Sequence, residues 1–447
     1  MFYLHSAFIL IFLISFDLQF AKAASEPRLY LVLYHQPAVK LGSFFSRTVR
    51  QQIMMDATKQ TEMQVFSKLS ATSSNDIKTV WIANGTLARL DSASLALIQK
   101  DPQVDLILPF ESRGVFSFPP TTGDVQTSAQ SKWTYGLSQL GIDHIDQKYP
   151  DLKGQGVRVG VIDTGIDADH PDLKNKVAAF RDYISGQKKP YDNHSHGTHV
   201  CGTIAGGASS GTRIGIAPEV KLVVAKTFSM YGSFEDKNLL LAMQWVADPD
   251  ENPQTDDGVH VLNGSWNVDG VTKDFVPEQA PFCRAIDGLR SLDIVSVFAA
   301  GNDGPTASTI KMPGACPGAL TVASNNDSNQ IAENSSRGPV FWKNGTSQKP
   351  DVSAPGVSIY SSTPKNQYGN KSGTSMAAPH AVGVMALLTQ LQIEKNANDL
   401  LNPPQIFQLL FNTATPLQNQ SAWNASAGFG RLDAERAVDE LKSQGSF

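Results

Sequence analysis

Five short apolar runs, at residues 157–162, 221–225, 259–262, 294–300 and 319–323, limit the possible folds of this chain more than any other feature. None shows the polar alternation of a strand with one wet face, and stretches of helical texture separate them. Strands that are apolar on both sides must be covered on both sides, and helices between them supply that cover. The spacing predicts an α/β fold, a doubly wound and mostly parallel sheet with helices on both faces, over residues 129–447. Hydrophobic residues make up 41% of the 447, enough for a sizeable core and for two or three domains.

Upstream the texture changes. Residues 29–33 (LYLVL) read as a strand, 51–69 as a helix, 80–90 as strand, 92–99 as a short helix and 104–108 as a final strand. That order predicts a small α+β domain at 25–115. The stretch from 115 to 128 (VFSFPPTTGDVQTS) carries Pro, Thr and polar residues and reads as an exposed linker, with 116–128 as the linker or processing region. The apolar run at 7–16 has signal-peptide length, and the small residues Ala21 and Ala23 place cleavage after Ala23. The chain is therefore expected outside the cytoplasm, secreted or periplasmic. A net charge of −5 offers no basic field for nucleic acid or anionic lipid, and no later segment reads as a stable membrane span. Three cysteines are too few for a disulfide scaffold.

In open α/β sheets, chemistry gathers at the carboxyl ends of strands. Asp163 stands there after VGVI, suited either to orient an imidazole or to cap a helix. His196, in NHSHGTHVCGTIAG, suits a general base. His194, His196 and His199 also raise a zinc reading, although no HExxH pattern accompanies them. Ser375, in SGTSMAAPHAVGVMALL, opens a predicted buried helix, as an N-cap or as a nucleophile beside the backbone N–H groups of a helix start. Asn302, after VFAAG, can donate an amide proton to a developing oxyanion. Together these are the parts of an acyl-transfer site. Three other readings compete. An esterase of the α/β-hydrolase type needs a G-x-S-x-G elbow, and Gly373-Thr374-Ser375-Met376-Ala377 lacks its second glycine. A binding protein on an inactive scaffold would lack one of these groups, and a chain that only processes itself would keep them all.

The segments DTGID at Asp163, HGTHVCGT at His196, AAGN at Asn302 and GTSMAAPH at Ser375 resemble the subtilisin-like serine proteases, over about 129–441. The resemblance implies a serine endopeptidase acting on protein or peptide substrates, with no cofactor required for chemistry. In that role Ser375 attacks, His196 shuttles the proton, Asp163 orients His196, and Asn302 holds the oxyanion with the Ser375 N–H. It implies that Ser265 and Trp266 lie on the strand that pairs with substrate, and that Asn267, where the family usually has glycine, narrows the cleft. Lys311 is implied near the base of the P1 pocket, favouring an acidic P1 side chain. Residues 25–115 resemble the family's inhibitory propeptide, an intramolecular inhibitor in a zymogen. Gln130 and Asp172 match positions that bind structural calcium in relatives, but 206–211 (GGASSG) lacks the matching amide ligand. Cys283 and Cys316 match a bridged pair, and Cys201 reads as a packed thiol. The sequons at Asn193 and Asn263 lie inside the catalytic motifs and read as unmodified.

Overall fold

The computed structural model describes residues 27–36, 45–69, 76–110, 113–116, 118, 131–269, 275–395, 401–417, 420 and 422–444. The expected leader at 1–23, Gln130 and most of the expected linker lie outside them. The chain divides into two compact units, residues 1–40 with 53–112, and residues 41–52 with 113–447.

The first unit holds β1 (Arg28–Tyr34), helix α1 (Arg47–Phe66) from residue 53 onward, β2 (Ile77–Val80), β3 (Gly85–Leu90), α2 (Ser92–Ile98) and β4 (Val104–Pro109). Its four strands form an antiparallel sheet in the order β2-β3-β1-β4, the ferredoxin-like arrangement. The sequence suggested one strand across 80–90. Instead Trp81–Ala83 form a 3₁₀ turn and Asn84 takes a left-handed conformation, φ 50°, so the segment folds into a hairpin. Asparagine tolerates that conformation where a β-branched residue would not.

The second unit is built on a seven-stranded sheet. Its strands are β6 (Arg158–Asp163), β7 (Val177–Asp182), β8 (Lys221–Lys226), β10 (Val261–Gly264), β11 (Val295–Ala299), β12 (Leu320–Asn325) and β13 (Val352–Pro355). Two further strands, β5 (Arg113–Val115) and β9 (Ser233–Glu235), pair with each other away from it. The main sheet has the order β13-β12-β11-β10-β6-β8-β7, and every pair is parallel. Helices α3 (His196–Ala205), α4 (Asp236–Ala247), α5 (Pro281–Ser291), α6 (Thr374–Glu394) and α7 (Ala434–Ser443) surround it. All five apolar runs became strands of this sheet. The chain starts at the central β6, winds out to the β7 edge, returns through β8, and then builds β10 to β13 on the other side. The direction of winding therefore reverses at β6, which is where an open α/β sheet leaves a crevice at its carboxyl edge.

Helix α6 is long and apolar enough to cross a membrane, yet it is almost wholly buried against β11 and β12. Met376, Val384, Leu387 and Leu388 are fully buried there, each contributing about 1.5–3 kcal/mol of transfer free energy. Helix α3 comes so close to the chain after β6 that a Cβ at Gly197 would lie 2.1 Å from the Gly165 carbonyl oxygen. Only glycine fits at that approach.

Candidate active site

Asp163 is the last residue of β6 and is wholly buried. Its carboxylate accepts the Thr164 backbone N–H at 2.7 Å and faces Nδ1 of His196 at 2.8 and 3.0 Å. His196 is the first residue of α3, preceded by Ser195 at φ 90°. That entry to the helix is set by Asp192, which accepts the N–H groups of His194, Ser195 and Thr198 and the hydroxyls of Thr164 and Thr198. Burial pushes the Asp192 carboxyl up, but the Thr198 hydroxyl and the backbone N–H groups outweigh it and hold it below the usual range. Thr164 in turn accepts the Gly197 N–H, so the end of β6 and the start of α3 share one buried network. Neither Asp192 nor Thr164 was found from sequence. The only available signal was an aspartate four residues before the histidine.

Ser375 is the second residue of α6 and is also wholly buried. Its Oγ donates to the Ser265 carbonyl at 3.0 Å, and Ser265 Oγ donates back to the Ser375 carbonyl at 2.9 Å. Asn263 Nδ2 donates to Ser265 Oγ at 3.0 Å. Asn302 follows β11, where its Oδ1 accepts both the N–H and the hydroxyl of Thr374 at 3.0 Å. With the oxygen held twice, the amide NH₂ is oriented and left available as a donor. Thr374 also accepts the Gly301 N–H through Oγ1, and it too escaped the sequence reading. His196 Nε2 is buried with no hydrogen-bond partner, and the Ser375 hydroxyl points to Ser265 instead.

The zinc reading does not survive this geometry. His196 Nδ1 is committed to Asp163, and His199 Nε2 donates to the carbonyls of Ile359 and Gly369 at 2.8 and 3.1 Å. Burial, with the nearby Lys371 charge, pushes His199 down to about 3, so it is a neutral core donor. At the supposed calcium position, Asp172 accepts the Ser209 N–H at 2.7 Å and the Tyr368 hydroxyl at 2.7 Å, and Gln130 lies outside the described residues. Among the described residues one set of carboxylates clusters closely, Asp248, Asp250 and Asp257, in the loop after α4.

The residues expected to meet substrate have these surroundings. The Trp266 indole is wholly buried against Phe228, Phe282 and Phe298. Its large apolar ring is worth more in the core than in an open cleft. Lys311 is no isolated cation, since its Nζ lies 2.8 Å from Asp269 and 2.9 Å from Asp303. Asn263 is fully buried, so its sequon is closed to a glycan. Cys283 and Cys316 form the disulfide that the resemblance implied, and Cys201 is a buried free thiol.

Comparison with known proteins adds an independent line. The sequence profile of the subtilase family, Peptidase_S8, matches residues 154–430. Serine protease AprX of Bacillus subtilis is 34% identical over 311 residues, 64% of this chain and 67% of that protein. Subtilisin DY of Bacillus licheniformis is 33% identical over 306 residues, 68% of this chain and 98% of that protein. Bacillopeptidase F of Bacillus subtilis is 30% identical over 398 residues, 82% of this chain but only 26% of that longer protein. The chain belongs to the subtilase family, as a subtilisin-type serine endopeptidase.

Proposed function

We propose that Ser375, His196, Asp163 and Asn302 carry the hydrolysis, in an enzyme that is exported and made as an autoinhibited zymogen. The observation that carries the assignment is the buried Asp163–His196 pair at 2.8 Å. A carboxylate on Nδ1 fixes the tautomer that leaves Nε2 free to accept a proton. Once turned from the Ser265 carbonyl, Ser375 Oγ passes its proton to that nitrogen and adds to the scissile carbonyl carbon. Negative charge then develops on the carbonyl oxygen, where the Asn302 amide and the Ser375 N–H donate. His196 returns the proton to the departing amine, and water repeats the sequence on the acyl-enzyme. Casein hydrolysis that is lost in Ser375→Ala, blocked by a serine-directed phosphonate and resistant to a chelator supports this reading. Block by chelator alone would overturn it.

Export rests on the leader-like run at 7–16 and on the Cys283–Cys316 bridge, which suits an oxidising compartment. The zymogen reading assigns the first unit, with its ferredoxin-like sheet, as an intramolecular inhibitor removed on maturation. Calcium is not needed in this reading, because hydrogen bonds already satisfy Asp172. For the P1 pocket, an acidic side chain reaches Lys311 only by displacing Asp269, whose side chain is 91% exposed. A peptide library should therefore show Glu or Asp at P1, more strongly in Asp269→Ala. A purely apolar preference in both proteins removes Lys311 from the pocket.

A further inference from the structure

Two segments flank the place where a P1 side chain would enter. One is the chain after β10, residues 265–268, whose Ser265 carbonyl accepts the Ser375 hydroxyl at 3.0 Å. The other is the turn at 311–316, which carries Lys311. They meet where the Val268 N–H donates to the Met312 carbonyl at 2.8 Å. Lys311 Nζ adds a pair on each flank, to Asp269 at 2.8 Å and to Asp303, the residue after Asn302, at 2.9 Å.

Helix α5 holds both segments from behind, with consecutive residues of its first turn. The Phe282 ring meets the Trp266 indole edge-on at 5.9 Å, and both are buried. Cys283 is bonded to Cys316, at the end of the turn. Met312 Sδ lies 3.9 Å from Cys283 Sγ and 3.8 Å from Cys316 Sγ, so three buried sulfurs share one contact. A thioether suits such an irregular gap.

The turn fixes its own shape. The Ala315 N–H donates to the Lys311 carbonyl and the Cys316 N–H to the Pro313 carbonyl, each at 2.9 Å, and the Thr321 hydroxyl donates to the Gly314 carbonyl at 2.6 Å. What those bonds leave open is how far the turn stands from Trp266. The Lys311–Asp269 pair is exposed and holds little. The covalent tie through α5 is therefore the firmest one among the described residues. It also closes a ring of chain, residues 283–316, that contains β11, Asn302, Asp303 and Lys311. Asn302 keeps its own brace on Thr374, so a loosened ring moves the pocket wall before it moves the oxyanion donor.

We propose that the first turn of α5 sets the width of the P1 pocket, Phe282 holding one wall through Trp266 and Cys283 the other through Cys316 and Met312. Both act as positioning residues, through the walls they hold. The proposal deepens the proteolytic reading and rests on it, with Ser375 as nucleophile and Lys311 in the P1 pocket.

The test measures kcat/KM for peptides that differ only at P1, as Glu, Ala or Phe. Enzyme made from the full-length chain is counted by fluorophosphonate titration. In the double variant C283A/C316A the ratio between the best and the worst P1 residue should fall about tenfold, chiefly through KM, with kcat on the best peptide within about threefold of wild type. A bridge that only stabilises would lower Tm and the titratable fraction and leave that ratio unchanged per site, which overturns the proposal. Phe282→Leu keeps the bridge and loosens the opposite wall, and it should raise the relative rate of the Phe peptide by about threefold. Should C283A/C316A give no titratable enzyme, Phe282→Leu decides alone, and an unchanged ratio there overturns the clamp. If Lys311→Met leaves the wild-type ratio unchanged, the placing of the pocket fails, and the clamp with it. If Ser375→Ala keeps wild-type turnover, it is the assignment of the nucleophile that fails.

Discussion

The two halves of the proposed active site are built differently. On one side, β6 and α3 deliver Asp163 and His196 already joined, with Asp192 and Thr164 bracing the join from below. On the other, β11 and α6 deliver Asn302 and Ser375, each braced by a neighbour, Thr374 for the amide and Ser265 for the hydroxyl. Each half is complete in itself, and the bond that would link them, Ser375 Oγ to His196 Nε2, is the one not made. The contrast teaches that hydrogen bonding is concentrated inside the halves rather than between them.

Four changes would break or sharpen that contrast. Asp163→Asn should remove the first half's tautomer control while leaving the second half intact, cutting kcat by on the order of 10⁴-fold, the size known for this change in serine proteases. Near-normal turnover would mean that the pair is only structural. Asn302→Ala should cut kcat by about 10²–10³-fold with KM little changed, a range known from subtilisin itself. A loss confined to KM would place Asn302 outside the oxyanion site. Thr374→Val keeps the shape but drops one of the two bonds holding the Asn302 oxygen, and about a tenfold loss in kcat is expected. That loss should vanish in the Asn302→Ala background, and an additive loss there would separate the two residues.

The smallest effect concerns stability rather than turnover. Burial pushes His199 of the first half down to about 3, and His380 of the second half and His260 down to about 4. A depressed folded-state value means that the unfolded chain binds protons more readily. The stability these neutral imidazoles retain above pH 6.5 is therefore lost as pH falls towards 4, by up to about 1.4 kcal/mol per pH unit for each. Urea midpoints should be flat between pH 7 and 8 and fall steeply from pH 6.5 to 4.5. A flat profile throughout would mean that these rings meet water.

The sheet and the four residues proposed to react were legible because their signals are local. An apolar run between helices reports its own burial, and GTSMAAPH or HGTHVCGT carries its own chemistry and family likeness. Bracing residues are harder to see, since Thr374 and Asp192 act through partners that only the fold brings near. Within the expected linker, the ring contacts of Phe116 and Phe118 with Phe228 were not legible for the same reason, since that ring lies more than a hundred residues further on. Lys311 was read as a free charge because Asp269 lies 42 positions away. Trp266 was expected beside Ser265 on a substrate-pairing strand, but the packing of its indole against Phe228, Phe282 and Phe298 was not legible, because those rings come from distant parts of the chain.

Asp163 closes the central strand of the sheet, paired with β8 along its full length and with β10 over its middle. An enzyme anchored there has no peripheral catalytic lobe that could melt early and re-form. Heat should therefore abolish turnover and the near-ultraviolet signature of the sheet domain in a single cooperative step.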